Sequence, residues 1–372
     1  MPIPPLTPDF TRRHVVQAGA GLALAAAAPA AFADPVFGAD QAVKRVAFGA
    51  CAHQDKDQPI WDVVLATKPD LFVFLGDNIY GDTRDPEVIK AKYAKLAAKP
   101  GFKRLRESVP ILAVWDDHDY GENDIGVEYP RKEESRKIFC DFWGEAADSA
   151  RRARPDGLYQ SYVFGPAGRR VQILLPDLRW NRTPLVSTSK SWSRYAAWAV
   201  QRRLRGLPVP GPYLKNEDPG ATILGETQWR WLEEQLAAPA DIRLFGSSIQ
   251  VLSRGTGWET WENFGADQQR LFTTLDRASV ANLVCLSGDV HYGELTKLDR
   301  PNAAPLWELT SSGLTQVMPV LPPNERRVGT AWRDRNFGLI DIYWTSPRPR
   351  VVLQVYDEKG AVRLSQSVTL GA

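Results

Sequence analysis

Histidine, cysteine and methionine are scarce in this chain, and the scarcity of cysteine excludes a fold that is held together by disulfides. The 372 residues contain four histidines, three cysteines and two methionines. Three cysteines do not make a disulfide framework, so the fold must rest on a buried core, for which this length is ample. A charge excess is also lacking, since 46 basic residues face 44 acidic ones. This balance gives no electrostatic argument for nucleic acid or an anionic membrane as a stable partner.

A long apolar run is missing as well, and the apolar segment near the N-terminus has the features of an export signal. Residues 18–31 are too few to span a bilayer, so we expect no transmembrane anchor. Arg12 and Arg13 precede this run, and Ala31-Phe32-Ala33 supplies an A-x-A cleavage site. The paired arginines resemble a twin-arginine signal, and a general secretory signal is the alternative. We therefore predict a signal peptide at residues 1–33, the twin-arginine export machinery as a partner, and a periplasmic or secreted location.

Buried strands alternate with helices along much of the remaining chain. The strands are predicted from continuous apolar runs, which are typical of strands buried on both faces. Helical patterns lie between them. In an α/β domain of this kind, ligands bind where the strands end. Strands are predicted at residues 43–50, 71–75, 111–115, 244–250 and 282–287, and helices at 59–67, 86–98, 133–145, 226–236 and 267–277.

Some regions depart from this alternation. A hairpin pattern at residues 158–176 and strand-like residues 338–370 make the predicted sheets mixed. Residues 181–224 are rich in arginine, tryptophan, proline and glycine and fit neither pattern. We interpret this stretch as an insertion near the site, either a lid or a surface excursion without function. Residues 34–372 are predicted to form a single domain that contains this insertion.

Three of the four histidines stand in short polar motifs, most of them directly after predicted strands. A further motif places an aspartate on a glycine turn. Carboxylate, imidazole and thiolate groups are the donors that bind metal ions in proteins. The motifs are Ala50-Cys51-Ala52-His53, Gly76-Asp77-Asn78-Ile79-Tyr80, Trp115-Asp116-Asp117-His118-Asp119 and Gly288-Asp289-Val290-His291.

One set of donors indicates a trivalent metal ion. Asp77 has two carboxylate oxygens and can bridge two cations. Cys51 and Tyr80 add a thiolate and a phenolate, and His291 adds a neutral nitrogen. Such a set favours Fe³⁺ over Zn²⁺. A buried structural thiol at Cys51 and a packing aromatic at Tyr80 are the alternative interpretations.

A second set of donors consists of oxygen atoms. Asp117 and Asp289 would share the second ion with Asp77, and Gln250 is a further oxygen donor. An all-oxygen set suits Ca²⁺, Mg²⁺ or Mn²⁺. Two metal ions about 3.5–4 Å apart can hold both the attacking and the leaving oxygen of a displacement, and a metal-bound hydroxide can attack. The donor sets therefore predict a dinuclear or larger metal site.

These motifs resemble the signature of the metallophosphoesterases. Tyr80 is similar to the tyrosine that marks the purple acid phosphatases among them. Cys51, together with the Trp-Asp-Asp-His-Asp and Gly-Asp-Val-His runs, resembles the PhoD-like alkaline phosphatases (the alkaline phosphatase D family). Residues 224–232 resemble that family's Gly-x-x-Gln-x-x-Trp-Leu helix, and residues 176–182 resemble its Leu-Asp-x-Arg-x-x-Arg segment, with Pro176 in place of leucine. The resemblance covers roughly residues 43–370.

The resemblance implies a fold, an activity and a set of site residues. The implied fold is a four-layer α/β/β/α sandwich with mixed sheets, and the implied activity is hydrolysis of phosphomonoesters or phosphodiesters. Asp77 and His118 would be catalytic, His118 by stabilising or protonating the leaving oxygen. Mg²⁺, Mn²⁺ or Zn²⁺ could replace the implied Ca²⁺. The implied ligands are Cys51, Asp77, Tyr80 and His291 for Fe³⁺, and Asp77, Asp117 and Asp289 for Ca²⁺.

Substrate contacts and the class of function have alternatives. Arg179 could clamp a phosphate oxygen or pair with a carboxylate. Asn123 could assist the second ion or the substrate, or it could cap a turn. A phospholipase- or organophosphate-type diesterase is the alternative enzyme. An exported metal- or phosphate-binding protein without catalysis is the alternative class, and the sequence indicates nothing about oligomeric state.

Overall fold

A computed structural model describes residues 41–188, 191–301, 303–345 and 348–371. The predicted signal peptide, residues 1–33, lies outside the described residues. The strands, in chain order, are β1 (Arg45–Gly49), β2 (Leu71–Leu75), β3 (Ile111–Val114), β4 (Gln160–Phe164), β5 (Val171–Leu175), β6 (Val186–Ser187), β7 (Tyr213–Leu214), β8 (Ile242–Ser247), β9 (Leu283–Ser287), β10 (Gly293–Arg300), β11 (Ala303–Ser311), β12 (Arg327–Trp332), β13 (Asn336–Tyr343), β14 (Arg350–Asp357) and β15 (Val362–Thr369). The helices are α1 (Ile60–Ala66), α2 (Pro86–Ala97), α3 (Pro100–Ser108), α4 (Asp117–Tyr120), α5 (Lys132–Trp143), α6 (Ala150–Ala153), α7 (Trp192–Leu204), α8 (Gly225–Ala237) and α9 (Gly265–Arg277).

Within the described ranges, the strands form two large mixed sheets and a small ribbon. The first sheet has the order β15-β14-β13-β1-β2-β3, the second has the order β12-β10-β11-β9-β8-β5-β4, and β6 pairs with β7. Strands β1, β2 and β3 run parallel, and so do β5, β8, β9 and β11. Strands β13 and β10 run antiparallel to their neighbours. The predicted mixed character of the sheets is confirmed.

Alternate residues of the second sheet point into two different cores. Ile173 and Leu244 belong to the core that also contains the first sheet. The next residues along each strand, Leu174 and Phe245, pack in a second core with Trp229 of α8. Because successive side chains of a strand point to opposite faces, the second sheet lies between the first sheet and a helical layer.

The outer face of the first sheet is covered by helices too. Phe72 and Phe74 of β2 contact Trp61 of α1, with ring centroids 5.8 and 5.6 Å apart. Phe102 of α3 lies 5.9 Å from Phe74. All five residues of β2 are buried, as expected for a strand covered on both faces. The layers are therefore helix, sheet, sheet and helix, and the predicted α/β/β/α sandwich is confirmed.

Most predicted elements are present, with ends shifted by a few residues. The five predicted helices correspond to α1, α2, α5, α8 and α9, and the five predicted strands to β1, β2, β3, β8 and β9. The predicted hairpin is the antiparallel pair of β4 and β5. Helix α3 was not predicted, because Pro100 and Gly101 at its start are typical of a loop. No helix among the described residues is long and apolar enough to cross a membrane.

The predicted insertion at residues 181–224 contains β6, α7 and β7. The short β6–β7 ribbon pairs Val186 with Leu214 and joins the two ends of the segment that carries α7. Helix α7 contains no buried residue. This helix was not predicted, because the whole stretch, rich in arginine, tryptophan, proline and glycine, was interpreted as an insertion without assigned elements.

Candidate active site

Strand ends and the loops after them hold the predicted ligands. Cys51 follows β1, Asp77 follows β2, and Asp289 and His291 follow β9. All four have positive φ angles: 66° for Cys51, 50° for Asp77, 69° for Asp289 and 62° for His291. This left-handed conformation is uncommon for residues other than glycine and costs about 1–2 kcal/mol each. The surrounding fold therefore imposes the geometry, as it often does at functional sites.

Two glycines let the strand ends approach closely. Gly76 has a φ of 96°, and a Cβ at this position would lie 2.4 Å from Cβ of Asp116. A Cβ on Gly288 would lie 2.6 Å from Cβ of Ala50. Neither position has room for a side chain, so the glycine before each site aspartate is a steric requirement.

The first group of donors surrounds one oxygen of Asp77. The thiol of Cys51 donates to Asp77 Oδ2 at 3.3 Å, and the hydroxyl of Tyr80 donates to the same oxygen at 3.4 Å. This hydroxyl also lies 3.1 Å from Nε2 of His291. The ligand atoms of Cys51, Asp77 and His291 lie within 4.8 Å of one another. Ser312, which the sequence did not single out, places its hydroxyl 3.0 Å from Sγ of Cys51.

The second group of donors consists of carboxylates. One oxygen each of Asp77, Asp116, Asp117 and Asp289 lies within 4.8 Å of the others. Oδ1 of Asp77 and Oδ1 of Asp117 are buried and accept no hydrogen bond from the described residues. Asp117 Oδ2 accepts the backbone N–H of Asp124 at 2.6 Å. Buried carboxylates that crowd in this way repel one another unless protons or cations lie between them.

Helix α4 starts three residues after β3 ends and brings His118 beside Asp77 and Asp117. Ligand atoms of these three residues lie within 4.8 Å of one another. Nδ1 of His118 lies 2.6 Å from Oδ1 of Asp82, and the His118 and Tyr80 rings are 4.2 Å apart. Asp82 was missed by the sequence analysis. Its position in the same loop as Asp77 was the only signal, and a loop aspartate has many other uses.

Burial and crowded charge shift the pKa values of the cluster. Burial raises the pKa of the Asp77 carboxyl well above its ordinary value, while His118 opposes this rise and Asp117 adds to it. Burial alone would lower the pKa of His118, but Asp117, Asp77 and Asp82 outweigh it and raise that pKa to about 11. Burial, with the nearby His118, lowers the pKa of His291 to about 4. His291 is therefore neutral at pH 7, as a metal ligand must be.

These observations fit a site for metal ions. Burial raises the pKa of the Cys51 thiol and of the Tyr80 hydroxyl well above their ordinary values. Bound cations would favour their deprotonated forms and would satisfy the unpaired oxygens of Asp77 and Asp117. The sulfur, phenol and imidazole donors fit a trivalent transition metal, whereas the carboxylates fit a hard divalent ion.

A buried ion-pair network lies beside the carboxylates, and in it Arg179 pairs with carboxylates, as one of its two interpretations predicted. Nε of Arg179 donates to Asp116 Oδ1 at 2.5 Å, and its Nη1 donates to both oxygens of Glu259 at 2.9 and 3.0 Å. Its Nη2 lies 3.7 Å from Oδ1 of Asp117. Arg182 pairs with Glu259 at 2.9 Å. Arg179 is fully buried and faces these carboxylates, and its contact with a phosphate stays a prediction.

Two further predicted residues have other partners. The side-chain amide of Gln250 donates to Glu294 at 2.6 Å, and its oxygen accepts from the hydroxyl of Tyr292 at 3.5 Å. Gln250 thus belongs to a buried network after β8, and its role as a ligand stays a prediction. Asn123 is exposed, and its amide donates to the carboxylate of Asp124 at 2.6 Å. Asp124 in turn connects this loop to the ligand cluster through its backbone N–H.

The fold and the cluster define a layered α/β protein with a buried set of metal-binding side chains at converging strand ends. The family model described as PhoD-like phosphatase matches residues 46–336, and the chain belongs to that family. This match confirms the family resemblance that the motifs carried.

Individual relatives are more distant. Alkaline phosphatase D from Bacillus subtilis (strain 168) is 23% identical over 291 residues, which cover 69% of this chain and 47% of that protein. The chain thus spans about half the length of this curated relative. A solved structure of PhoD has a TM-score of 0.63 and 17% identity, and the match covers 89% of this chain and 72% of that chain. The anchor GAP50 of the inner membrane complex of Plasmodium has a TM-score of 0.54 and 13% identity, with 89% and 90% covered. At these identities, the two structures support the fold alone.

Proposed function

We propose that this chain is a metal-dependent hydrolase of phosphoric esters. One observation carries the proposal: Asp77 belongs to all three groups of potential metal ligands at the strand ends. A carboxylate in that position can bridge two metal ions and fix the distance between them. Membership of the PhoD-like phosphatase family supports the same reaction.

The proposed ions are Fe³⁺ and a hard divalent cation, with Ca²⁺ preferred and Mg²⁺, Mn²⁺ or Zn²⁺ as alternatives. Cys51, Asp77, Tyr80 and His291 would hold the first ion. Asp77, Asp117 and Asp289 would hold the second, and Asp116 is near enough to add to its negative surroundings. Bound there, such ions would polarise a phosphoryl oxygen and would lower the pKa of a coordinated water to about 7.

His118 is the proposed general acid for the leaving oxygen. Asp82 lies 2.6 Å from Nδ1, so this nitrogen carries a proton toward Asp82 and Nε2 is left to serve the substrate. The Tyr80 ring, 4.2 Å away, restricts the orientation of the imidazole. In this arrangement His118 acts on the leaving group, and Asp82 is a positioning residue.

Arg179 and Glu259 are proposed as positioning residues for the carboxylates. The guanidinium joins Asp116, Asp117 and Glu259, and it is enclosed on every side. Removal of Glu259 would leave Arg179 held by Asp116 and Asp117 alone and Arg182 without the carboxylate that it pairs with, and it would loosen the guanidinium that orients the carboxylates. Direct substrate contact by Arg179 is the second possibility, and it requires the guanidinium to leave at least one carboxylate.

The fold by itself does not decide between catalysis and binding. A protein with the same architecture is described as an anchor in a membrane complex, so function has to be argued from the site. The unsatisfied oxygens of Asp77 and Asp117, together with the paired His118 and Asp82, favour catalysis over a silent binding role. Alkaline phosphatase or phosphodiesterase activity is the preferred assignment, and a phospholipase- or organophosphate-type diesterase is the alternative.

The deciding experiment combines metal analysis with a small substrate panel. Purified protein is expected to contain metal and to hydrolyse p-nitrophenyl phosphate or its bis-ester, and the ratio of the two rates assigns monoester or diester preference. Asp77→Asn is expected to lower kcat/KM by at least about 10²-fold, because Asp77 would hold both ions. Asp148→Asn, at an exposed aspartate, is the matched control. A metal-loaded protein that hydrolyses neither ester would refute the proposal.

The identity of the first ion has a spectroscopic test. A phenolate bound to Fe³⁺ gives a visible charge-transfer band, so the loaded protein is expected to be coloured. Tyr80→Phe should abolish the band, whereas Tyr343→Phe, at a half-exposed tyrosine of β13, should leave it unchanged. An active, colourless and iron-free preparation would remove iron from the proposal and leave hydrolysis intact.

Export is proposed from the N-terminal segment. Residues 1–33 would be a twin-arginine signal peptide, and residues 34–372 would be the mature periplasmic or secreted domain with its insertion at 181–224. Mass spectrometry of the N-terminus in an extracytoplasmic fraction is expected to give Asp34. Replacement of Arg12 and Arg13 by lysine should retain the protein in the cytoplasm, and continued export of that variant would point to the general secretory route.

A further inference from the structure

The insertion carries a one-sided charge that the composition of the whole chain conceals. Residues 183–216 of the insertion contain six basic residues and no acidic residue, although the net charge of the full chain is only +2. Four of the six, Arg194, Arg202, Arg203 and Arg205, lie on α7 or directly after it. A local positive potential of this size attracts anionic surfaces irrespective of the net charge of the molecule.

Helix α7 also presents an apolar ridge to solvent. Trp192, Ala196, Val200 and Leu204 recur every four residues, so they line one side of the helix. All four are exposed, with 57% of Trp192, 58% of Val200 and 82% of Leu204 accessible. Large apolar side chains in a continuous exposed row mark an interaction surface more often than single exposed residues do.

The side of α7 next to this ridge fastens the helix to the rest of the insertion. The hydroxyl of Tyr195 donates to the carbonyl oxygen of Pro210 at 2.9 Å, and its ring lies 6.1 Å from that of Trp258. Nε of Arg202 donates to the carbonyl oxygen of Pro208 at 2.6 Å. The Trp192 ring, 6.4 Å from that of Trp258, also lies against this attachment, although more than half of its side chain stays exposed. The helix is therefore held by this side, and Val200 and Leu204 remain directed outward.

We propose that α7 docks the protein on an anionic phospholipid bilayer. Trp192, Val200 and Leu204 would enter the interfacial layer, and the arginines would contact headgroup phosphates. An amphipathic helix with tryptophan and leucine beside arginine has the composition of such interfacial helices. A second copy of the chain is a poor occupant, because two segments with the same excess of positive charge repel each other.

The insertion is also connected to the ligand cluster. The hydroxyl of Tyr213 on β7 donates to the carboxylate of Asp124, whose backbone N–H donates to Asp117 Oδ2 at 2.6 Å. A bilayer-bound insertion would therefore be coupled through two hydrogen bonds to a predicted ligand. The docking proposal itself does not depend on the proposed hydrolysis, and its test uses no substrate.

The test uses a fluorescent reporter on the helix of the full chain. The three native cysteines are buried, so Ser193→Cys can be labelled selectively with an environment-sensitive fluorophore. Vesicles of phosphatidylcholine and phosphatidylglycerol in equal parts are compared with vesicles of phosphatidylcholine alone. Ser365→Cys on β15, also at an exposed serine, is the control position for the label.

The expected result is a blue-shifted, stronger emission at position 193 on anionic vesicles only, weakened by salt and absent from position 365. Each arginine near an anionic surface contributes about a fivefold gain in partitioning, so Arg203→Gln combined with Arg205→Gln should weaken binding about 25-fold. Arg131→Gln with Arg169→Gln removes the same charge elsewhere and should change it little. Leu204→Glu should also weaken binding.

Two outcomes would overturn the proposal. Vesicle binding without an emission change at position 193 would mean that another part of the chain, such as residues 18–31, makes the contact. An emission change without vesicles that grows with protein concentration would mean that a second copy covers the ridge.

Discussion

The ligand cluster and the insertion are held in place in opposite ways. Asp77 and Asp117 are buried, and their surroundings include strained backbone and a fully enclosed arginine. Helix α7 buries no residue. It is attached through the hydrogen bonds of Tyr195 and Arg202, which lie on one side of the helix. The cluster is therefore a product of the whole sandwich, whereas the insertion is a local addition.

This difference separates two kinds of sequence constraint. A residue in the cluster is restricted by charge, by space and by backbone conformation at once, so most substitutions there should damage both stability and chemistry. A residue on α7 is restricted mainly by what the helix meets outside the protein. The comparison can be tested by substitutions that are matched in chemistry and differ in location.

The largest effect on stability is expected at the buried guanidinium. Arg179→Met leaves Asp116 without its counter-charge and Glu259 with Arg182 alone, and it should lower the free energy of unfolding by about 3–5 kcal/mol. Arg104→Met breaks an exposed pair with Asp62 and should cost no more than about 1 kcal/mol. Urea unfolding of both variants measures the difference, and equal losses would mean that the buried network does not stabilise the site.

A smaller effect, on catalysis alone, is expected at the imidazole. His118→Ala should lower kcat by about 10²-fold, because a positioned acid for the leaving oxygen is lost. The loss should be greater with phenyl phosphate than with p-nitrophenyl phosphate, since the poorer leaving group needs the proton more. His53→Ala, at a histidine whose ring stacks on Tyr80 at 4.7 Å, is the matched control and should show no such dependence. An equal loss for both substrates would assign His118 a role other than proton donation.

The smallest effect is expected in the insertion. Leu207→Ala removes a side chain that is 45% exposed and should change the free energy of unfolding by less than about 0.5 kcal/mol. Leu286→Ala removes the same atoms from the core between the sheets and should cost about 2–5 kcal/mol. Thermal unfolding compares the two, and a large loss for Leu207→Ala would mean that the insertion is part of the folding unit.

Local patterns were sufficient to predict most strands and helices and the loops that carry the candidate ligands, whereas the four-layer architecture was implied by the family resemblance. Apolar strands such as β2 end directly at polar motifs, and parallel strands bring their ends together. Asp82 and Glu259 were not predictable in this way. Glu259 meets Arg179 from a position 80 residues away, and neither residue belongs to a pattern that a single sequence reveals.

The net charge of the whole chain did not reveal the positive charge and the exposed apolar side of the insertion. The near-equality of basic and acidic residues gave no electrostatic argument for an anionic membrane as a partner, yet residues 183–216 contain no acidic residue at all. The helical period of α7 was equally hidden, because its exposed side is apolar and its attached side includes Arg202. A helix that does not face a core carries no inward apolar stripe for pattern analysis to detect.

The left-handed backbone at Cys51, Asp77, Asp289 and His291 has a consequence for saturation mutagenesis of the site. Valine, isoleucine and threonine are poorly tolerated at such φ angles, whatever chemistry they offer, and glycine and asparagine are accepted more readily. For a library at these positions, an abundance screen should therefore rank the substitutions by how well they tolerate the left-handed backbone. An activity screen should rank them by the chemistry of their side chains. Positions where the two rankings diverge would identify, without any structure, the residues at which conformation and chemistry are both required.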